Sequence, residues 1–168
     1  MDILLVDGYN VIGAWDELKK LKDIDFAQAR DLLIDKLAEY QAYKGWRVII
    51  VFDAHLVPGI EIKHIQSRVE VIYTRENETA DERIEKMVKE LNNVKTRIYV
   101  ATSDYTEQWT IFSQGALRVS SRELLNEINK IEKQINDDIT RRHTRKTRTK
   151  IPMNEEITRL FEKWRRGF

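Results

Sequence analysis

The chain has 168 residues, a net charge of +1, 42% hydrophobic residues and 34% charged residues, the profile of a folded globular chain rather than a disordered one. It contains no cysteine, which excludes a disulfide framework, a zinc–thiolate site, an iron–sulfur cluster and a cysteine nucleophile. Its longest apolar runs, residues 3–6 and 48–52, are too short to cross a membrane. No secretory signal precedes the first of them, so the cytoplasm is the expected compartment.

Residues 3–6 (Ile-Leu-Leu-Val) form a continuous apolar run and read as a strand buried on both faces. Residues 26–44 place Phe26, Ala29, Leu32, Leu33, Leu37, Tyr40 and Tyr43 on one helical face. Asp25 and Gln28 have the spacing of a capping box before that helix, and Gly45 ends it. Residues 48–52 and 69–73 are the second and third strands. Thr79 with Glu82 opens a helix through about Leu91. Residues 97–101 are a fourth strand, Asp104 with Glu107 spaces a further cap, and residues 116–119 are a short fifth strand. Ser120 with Glu123 opens a helix with Leu124, Ile128, Ile131 and Ile135 on its apolar face. Alternation of strands and helices argues for an α/β fold with a parallel sheet covered on both faces.

The apolar period breaks after Ile139. Residues 141–168 carry 10 Lys/Arg against 3 Asp/Glu, leaving 19 against 25 in the rest of the chain. Residues 1–140 therefore read as an acidic domain and residues 141–153 as a basic linker. Residues 154–168, with Asn154 as a cap and Ile157, Leu160, Phe161 and Trp164 on one face, read as a last helix that packs on the domain. Arg141, Arg142, Arg145, Lys146, Arg148 and Lys150 favour a polyanion, chiefly nucleic acid.

In open α/β sheets, ligands bind beyond the carboxyl ends of the strands. Asp7 ends the first strand, Asp53 the second and Asp104 the fourth, while Asp81 lies in the first turn of the helix after the third. Each alone has a structural explanation, as a cap, a turn residue or a partner for a helix dipole. Gathered together, they repel. Two unit charges 4 Å apart cost about 4 kcal/mol at an effective dielectric near 20. A hard divalent cation, Mg²⁺ or Mn²⁺, offsets that repulsion and prefers oxygen ligands. Asn10 either hydrogen-bonds a phosphate or metal-held water, or satisfies loop backbone. The chain has no Walker A loop, no Gly-x-Gly-x-x-Gly and no Gly-x-Ser-x-Gly elbow. Tyr9 stands where an aspartyl-phosphate phosphatase has its second acid.

Four segments in order, Val6-Asp7-Gly8-Tyr9-Asn10, Phe52-Asp53-Ala54-His55, Glu78-Thr79-Ala80-Asp81-Glu82-Arg83 and Ala101-Thr102-Ser103-Asp104-Tyr105, closely resemble the YacP-type NYN-domain ribonucleases. The likeness extends to Phe161-Glu162-Lys163-Trp164-Arg165-Arg166. It implies a PIN-like three-layer fold with about five parallel strands in the order 3-2-1-4-5. It also implies a metal-dependent endoribonuclease that acts in mRNA decay in association with the ribosome and leaves a 5′-phosphate and a 3′-hydroxyl. Thr106 stands where many such nucleases have a further aspartate, which bears on whether the site holds one metal or two.

The expected reaction is therefore phosphodiester hydrolysis in single-stranded RNA. Asp7, Asp81 and Asp104 are the expected catalytic residues and the ligands of Mg²⁺ or Mn²⁺, with Asp53 behind them. Asn10, Arg83, Arg118 and the six basic residues between 141 and 150 are the expected RNA contacts. His55 could assist, though a loop histidine is more often structural. Trp15, Trp46 and Trp109 could stack bases, but at least two of them are expected to pack helices onto the sheet. The rival reading is a catalytically silent RNA- or ribosome-binding adaptor on the same fold. Retention of Asp7, Asp81 and Asp104 favours the enzyme.

Overall fold

A central strand has to be apolar on both faces, and β1 (Asp2–Asp7) meets that condition: Ile3, Leu4, Leu5 and Val6 are all buried. The computed structural model describes residues 1–53, 62–66, 68–103, 111 and 113–165, with backbone alone for 62–66 and 144–165. Helices α1 (Gly8–Ala14), α2 (Asp16–Ile24) and α3 (Phe26–Lys44) follow β1. Next come β2 (Arg47–Phe52), β3 (Ile62–Gln66), β4 (Val69–Tyr73) and α4 (Ala80–Leu91). The chain continues through β5 (Arg97–Ala101) and β6 (Leu117–Val119) into α5 (Ser121–Arg165).

The strands lie in the order β3-β4-β2-β1-β5-β6. The five from β4 to β6 are parallel and reproduce the expected order 3-2-1-4-5. The sixth, β3, was not expected. It pairs antiparallel with β4 and adds an edge. β1 sits between β2 and β5, with Asp7 opposite Val51 and Val6 opposite Ala101. One face of the sheet packs Ile3, Leu5, Ile49, Val51, Ile72, Ile98 and Val100 against Ile84, Met87 and Val88 of α4. The alternate residues Leu4, Val6, Ile50 and Phe52 are buried too. α1 and α3 lie against β2, so helices cover both faces.

The caps form as their spacing requires. Asp25 Oδ1 accepts from the N–H groups of Ala27 and Gln28 at 3.0 and 3.4 Å. Gly45 closes α3 with φ of +70°, a conformation that other residues enter at a cost. Thr79 Oγ1 accepts from the Glu82 N–H at 3.2 Å. Ser120 and Glu123 form a reciprocal box: Ser120 Oγ accepts from the Glu123 N–H at 3.1 Å, and Glu123 Oε2 accepts from the Ser120 N–H at 3.3 Å.

α5 differs from expectation. It runs unbroken through residues 141–153, read above as a linker, and through Asn154, read as the cap of a separate helix. Arginine and lysine are good helix formers. A run of them erases the apolar period without preventing the helix. The chain divides into two compact units, residues 1–129 and 130–168, with the division inside α5. Among the described residues, no helix is long and apolar enough to cross a membrane.

Candidate active site at the carboxyl edge

The chain leaves β1 at Asp7 and turns at once into α1. Gly8 makes that turn possible through space rather than dihedral freedom: a Cβ on Gly8 would run into the ring of Phe52, which is fully buried. The close approach holds the Asp7 carboxyl down at the end of the sheet, where it is buried.

Burial disfavours the charged carboxylate and is the main reason that the Asp7 pKa is pushed up to about 8. The charge of Asp81 and a hydrogen bond to its side chain push in the same direction, and Asp53 adds a smaller push. The Asn10 backbone N–H pulls the other way, although it falls short of a cap hydrogen bond. Without a cation, Asp7 therefore keeps its proton to near neutral pH, with the Asp81 side chain as its hydrogen-bond partner. Asp81 reaches this place because the Thr79 cap fixes the first turn of α4. Asp53, half-buried, follows the end of β2.

Asp104 lies outside the described residues, as do Ala54, His55, Tyr105 and Trp109. Among the described residues no group of three or more His, Asp or Glu side chains is set to hold a metal ion. The donor set still suits one. Two close carboxyls, one of them with its pKa raised mainly by burial, are hard oxygen ligands for Mg²⁺ or Mn²⁺.

Asn10 is a brace. Its Oδ1 accepts from the Ser103 N–H at 2.7 Å, the Ser103 hydroxyl at 2.6 Å and the Ser121 hydroxyl at 3.5 Å. It thus ties α1 to the end of β5 and the start of α5, and its oxygen is committed to that work. Arg83 is also engaged. Its Nη1 lies 3.4 Å from Glu78 Oε1, and Lys86 Nζ lies 2.9 Å from Glu78 Oε2. With 15% of its side chain exposed, Arg83 stiffens the segment before Asp81. Arg118 is exposed and lines a cleft of about 710 Å³ together with Trp15, Ser103, Ser120, Ser121 and Arg122. That cleft takes its lining from the residues that follow α1, β5 and β6, and it also carries Asp16, Glu17 and Glu123. Arg141 and Arg142 are exposed on α5. The side chains of Arg145, Lys146, Arg148 and Lys150 lie outside the described set.

Two tryptophans pack, as expected. Trp15 is buried and donates from Nε1 to the Ser121 carbonyl at 2.7 Å. Trp46 stacks on Tyr99 at 4.6 Å. The sequence reading missed Arg30 of α3, whose Nη1 donates to the Tyr9 hydroxyl at 3.3 Å next to the acid site. Its only sequence signal is a cation on the polar side of an otherwise ordinary helix.

Residues 4–166 match the family described as the YacP-like NYN domain. The chain is 62% identical to the protein YacP of Bacillus subtilis (strain 168) over 99% of its own length and 98% of that protein's. It is similar to the crystal structure of Rae1 (YacP) from Bacillus subtilis, with 62% identity, a TM-score of 0.78, and 99% of this chain and 96% of that one covered. The W164L mutant of Rae1 matches at 61% identity and a TM-score of 0.75, over 83% of this chain and 82% of that one.

Proposed function

The chain belongs to the YacP-like NYN domain family, and from that premise we propose that it is a metal-dependent endoribonuclease that hydrolyses phosphodiester bonds in single-stranded mRNA in association with the ribosome. The nuclease-like fold of the family supports this reading. One observation carries it for this chain: the buried carboxyl of Asp7 is held beside Asp81 at the carboxyl edge of the sheet, with its pKa raised to about 8. A charge so poorly solvated brings no stability of its own, and it marks a site built for something else.

Asp7, Asp81 and Asp104 would hold the cation. When bound, Mg²⁺ or Mn²⁺ activates water and offsets charge on the phosphate. The chain's own residues supply the setting. Gly8 and Phe52 fix the depth of Asp7, Thr79 and the Glu78–Arg83 pair fix the turn that carries Asp81, and Asn10 fixes the end of β5. Asp53 adds negative charge behind the pair. The cleft offers Arg118 and Arg122 to the strand on one side.

The test compares translated and untranslated forms of one mRNA, with Mg²⁺ or EDTA, followed by end mapping. Cleavage that needs the metal and leaves a 5′-phosphate and a 3′-hydroxyl is the expected result. Cleavage of the translated form alone would place the ribosome in the reaction. Binding without cleavage in either form would favour the adaptor.

A further inference from the structure

A cation is usually placed on a protein surface in one of two ways, either solvated or paired with a carboxylate. Arg30 fits neither. It is half-buried on α3. Its guanidinium carbon lies 5.9 Å from the ring centre of Phe26 and 6.0 Å from that of Tyr73, and Nη1 donates to the Tyr9 hydroxyl at 3.3 Å. It forms no ion pair with a carboxylate among the described residues, although Asp31 acts on it at longer range. The rings that cage it are themselves fixed. Tyr9 packs against Phe26 and Phe52, each at 5.0 Å, and Phe52 stacks on Tyr73 at 5.4 Å.

The place of this cage follows from the topology. Phe52 and Tyr73 are register partners at the carboxyl ends of β2 and β4. Tyr9 is two residues past Asp7. Across the same edge, the acid pair stands at β1, and the cleft with Arg118 and Arg122 stands beyond β5 and β6. In strand order, Arg30 at β2–β4 and Arg118 at β6 therefore stand on opposite sides of β1 and its Asp7. The four strand steps from β4 to β6 cover roughly 19 Å.

We infer that Arg30 is a substrate-contact residue, a pre-oriented guanidinium that grips a phosphate of single-stranded RNA on the β2–β4 side of the acid pair, opposite the Arg118 cleft. A planar fork whose faces rest near aromatic rings keeps its remaining N–H groups for an anion. The cage fixes its orientation before substrate arrives, so little side-chain freedom is lost on binding. The inference rests on the nuclease reading of the site.

The experiment measures binding of a short fluorescent single-stranded oligoribonucleotide by the full chain in EDTA across a salt series. Asp81→Asn is the parent, so that no cleavage occurs. Arg30→Gln, and Arg30→Met as a second neutral variant that keeps the apolar stem over Phe26, are compared with it. Each is expected to weaken binding and to flatten the slope of log affinity against log salt by about 0.7, the value for one phosphate contact on a single strand. Arg30→Lys keeps the slope. If neither neutral variant moves the slope while the parent binds RNA, Arg30 is an internal brace and this inference alone falls. If the parent binds no RNA at any salt, the Arg30 inference falls, while the nuclease reading is decided separately by cleavage of the translated mRNA.

Discussion

Asn10 Oδ1 takes both donors of Ser103, its backbone N–H at 2.7 Å and its hydroxyl at 2.6 Å, across 93 residues of sequence. The bond pair fastens the first turn after β1 to the residue that follows β5 by two positions. It holds together the two neighbouring strands at the point where the chain order of the sheet reverses.

Replacing Asn10 by Ala removes that acceptor and leaves Ser103 to water. Ser103 is exposed, so the expected cost is about 1–2 kcal/mol. For a chain of this size that is a fall of roughly 2–8 °C in Tm. Cleavage is expected to fall further than stability does, because the end of β5 leads directly to Asp104. A thermal melt and a cleavage rate on the same preparation separate the two effects. An Asn10→Ala protein with wild-type rates would show that the brace has no part in positioning the site.

Asp7→Asn tests the acid pair through pH. The folded pKa of Asp7, about 8, lies far above the usual carboxyl value. Between about pH 4 and pH 8 the folded state therefore binds a proton that the unfolded chain has released. Stability is fully present below the unfolded pKa and is lost as pH rises through this window. In EDTA, the wild-type Tm is expected to decline from pH 5 to pH 8 more steeply than that of Asp7→Asn. The variant should be at least as stable as wild type at pH 8. Cleavage by Asp7→Asn, or by Asp81→Asn, is expected to drop on the order of 10³-fold, the loss of several kcal/mol of charge stabilisation. Parallel Tm curves would remove Asp7 as the group that titrates.

Metal should act on the same residues. With Mg²⁺ or Mn²⁺ at about 100 times its dissociation constant, linkage adds about 2.7 kcal/mol, or roughly 5–10 °C in Tm. Asp7→Asn is expected to lose most of this shift. Full cleavage by EDTA-treated wild type would end the metal reading.

Gly8→Ala is predicted to be costly for a reason unrelated to helix propensity, which favours alanine. The added methyl meets the Phe52 ring, and that ring is already in contact with Tyr9 and Tyr73. Overpacking of this kind costs about 1–3 kcal/mol. It should also lift Asp7 and disturb the Arg30 cage, so cleavage falls with stability. Pairing Gly8→Ala with Phe52→Leu should recover stability. If the double variant is no more stable than the single, the clash is not the cause.

The basic stretch of α5 is addressed by salt. If Arg141, Arg142, Arg145, Lys146, Arg148 and Lys150 all neutralised phosphates of a single strand, log affinity would fall against log salt with a slope of about −4. Replacing all six by Gln is expected to flatten the slope and weaken binding to RNA and to ribosomes, while the metal-dependent thermal shift stays the same. Equal slopes for the two proteins would place docking elsewhere.

Much of the sheet could be read from the chain because its strands are nearly pure apolar runs bounded by polar residues. β1, β2, β4 and β5 needed no further clue, while their spatial order came from the family resemblance. α3 and the start of α5 showed both an apolar period and a capping box, and α4 showed a capping box. β3 did not show, because Ile62-Lys63-His64-Ile65-Gln66 is too mixed to stand out and its strand character comes from pairing with β4. α1 and α2 were hidden for opposite reasons. One contains two glycines, and the other is mostly charged, with little but Leu18 buried. The far half of α5 lacked any period to follow. At the site, Asp7 and Asp81 were legible from their positions at a strand end and a helix start. Arg30 was not, because its neighbours Tyr9 and Tyr73 are 21 and 43 positions away and only the fold assembles them.

The position of β1 has a consequence for how the molecule is made. It is synthesised before the other strands of its sheet, yet it belongs in the middle of that sheet, with β5 as one of its two partners in a register that sets Asp2 opposite Arg97. Until residues 97–101 have been added, a strand whose core residues are Ile, Leu, Leu and Val has one open edge. Contacts this distant in sequence close slowly, and an unpaired apolar strand invites pairing with other chains. Growth of this chain therefore passes through a stage, more than half its length long, in which the element that carries Asp7 is the one most exposed to misassociation.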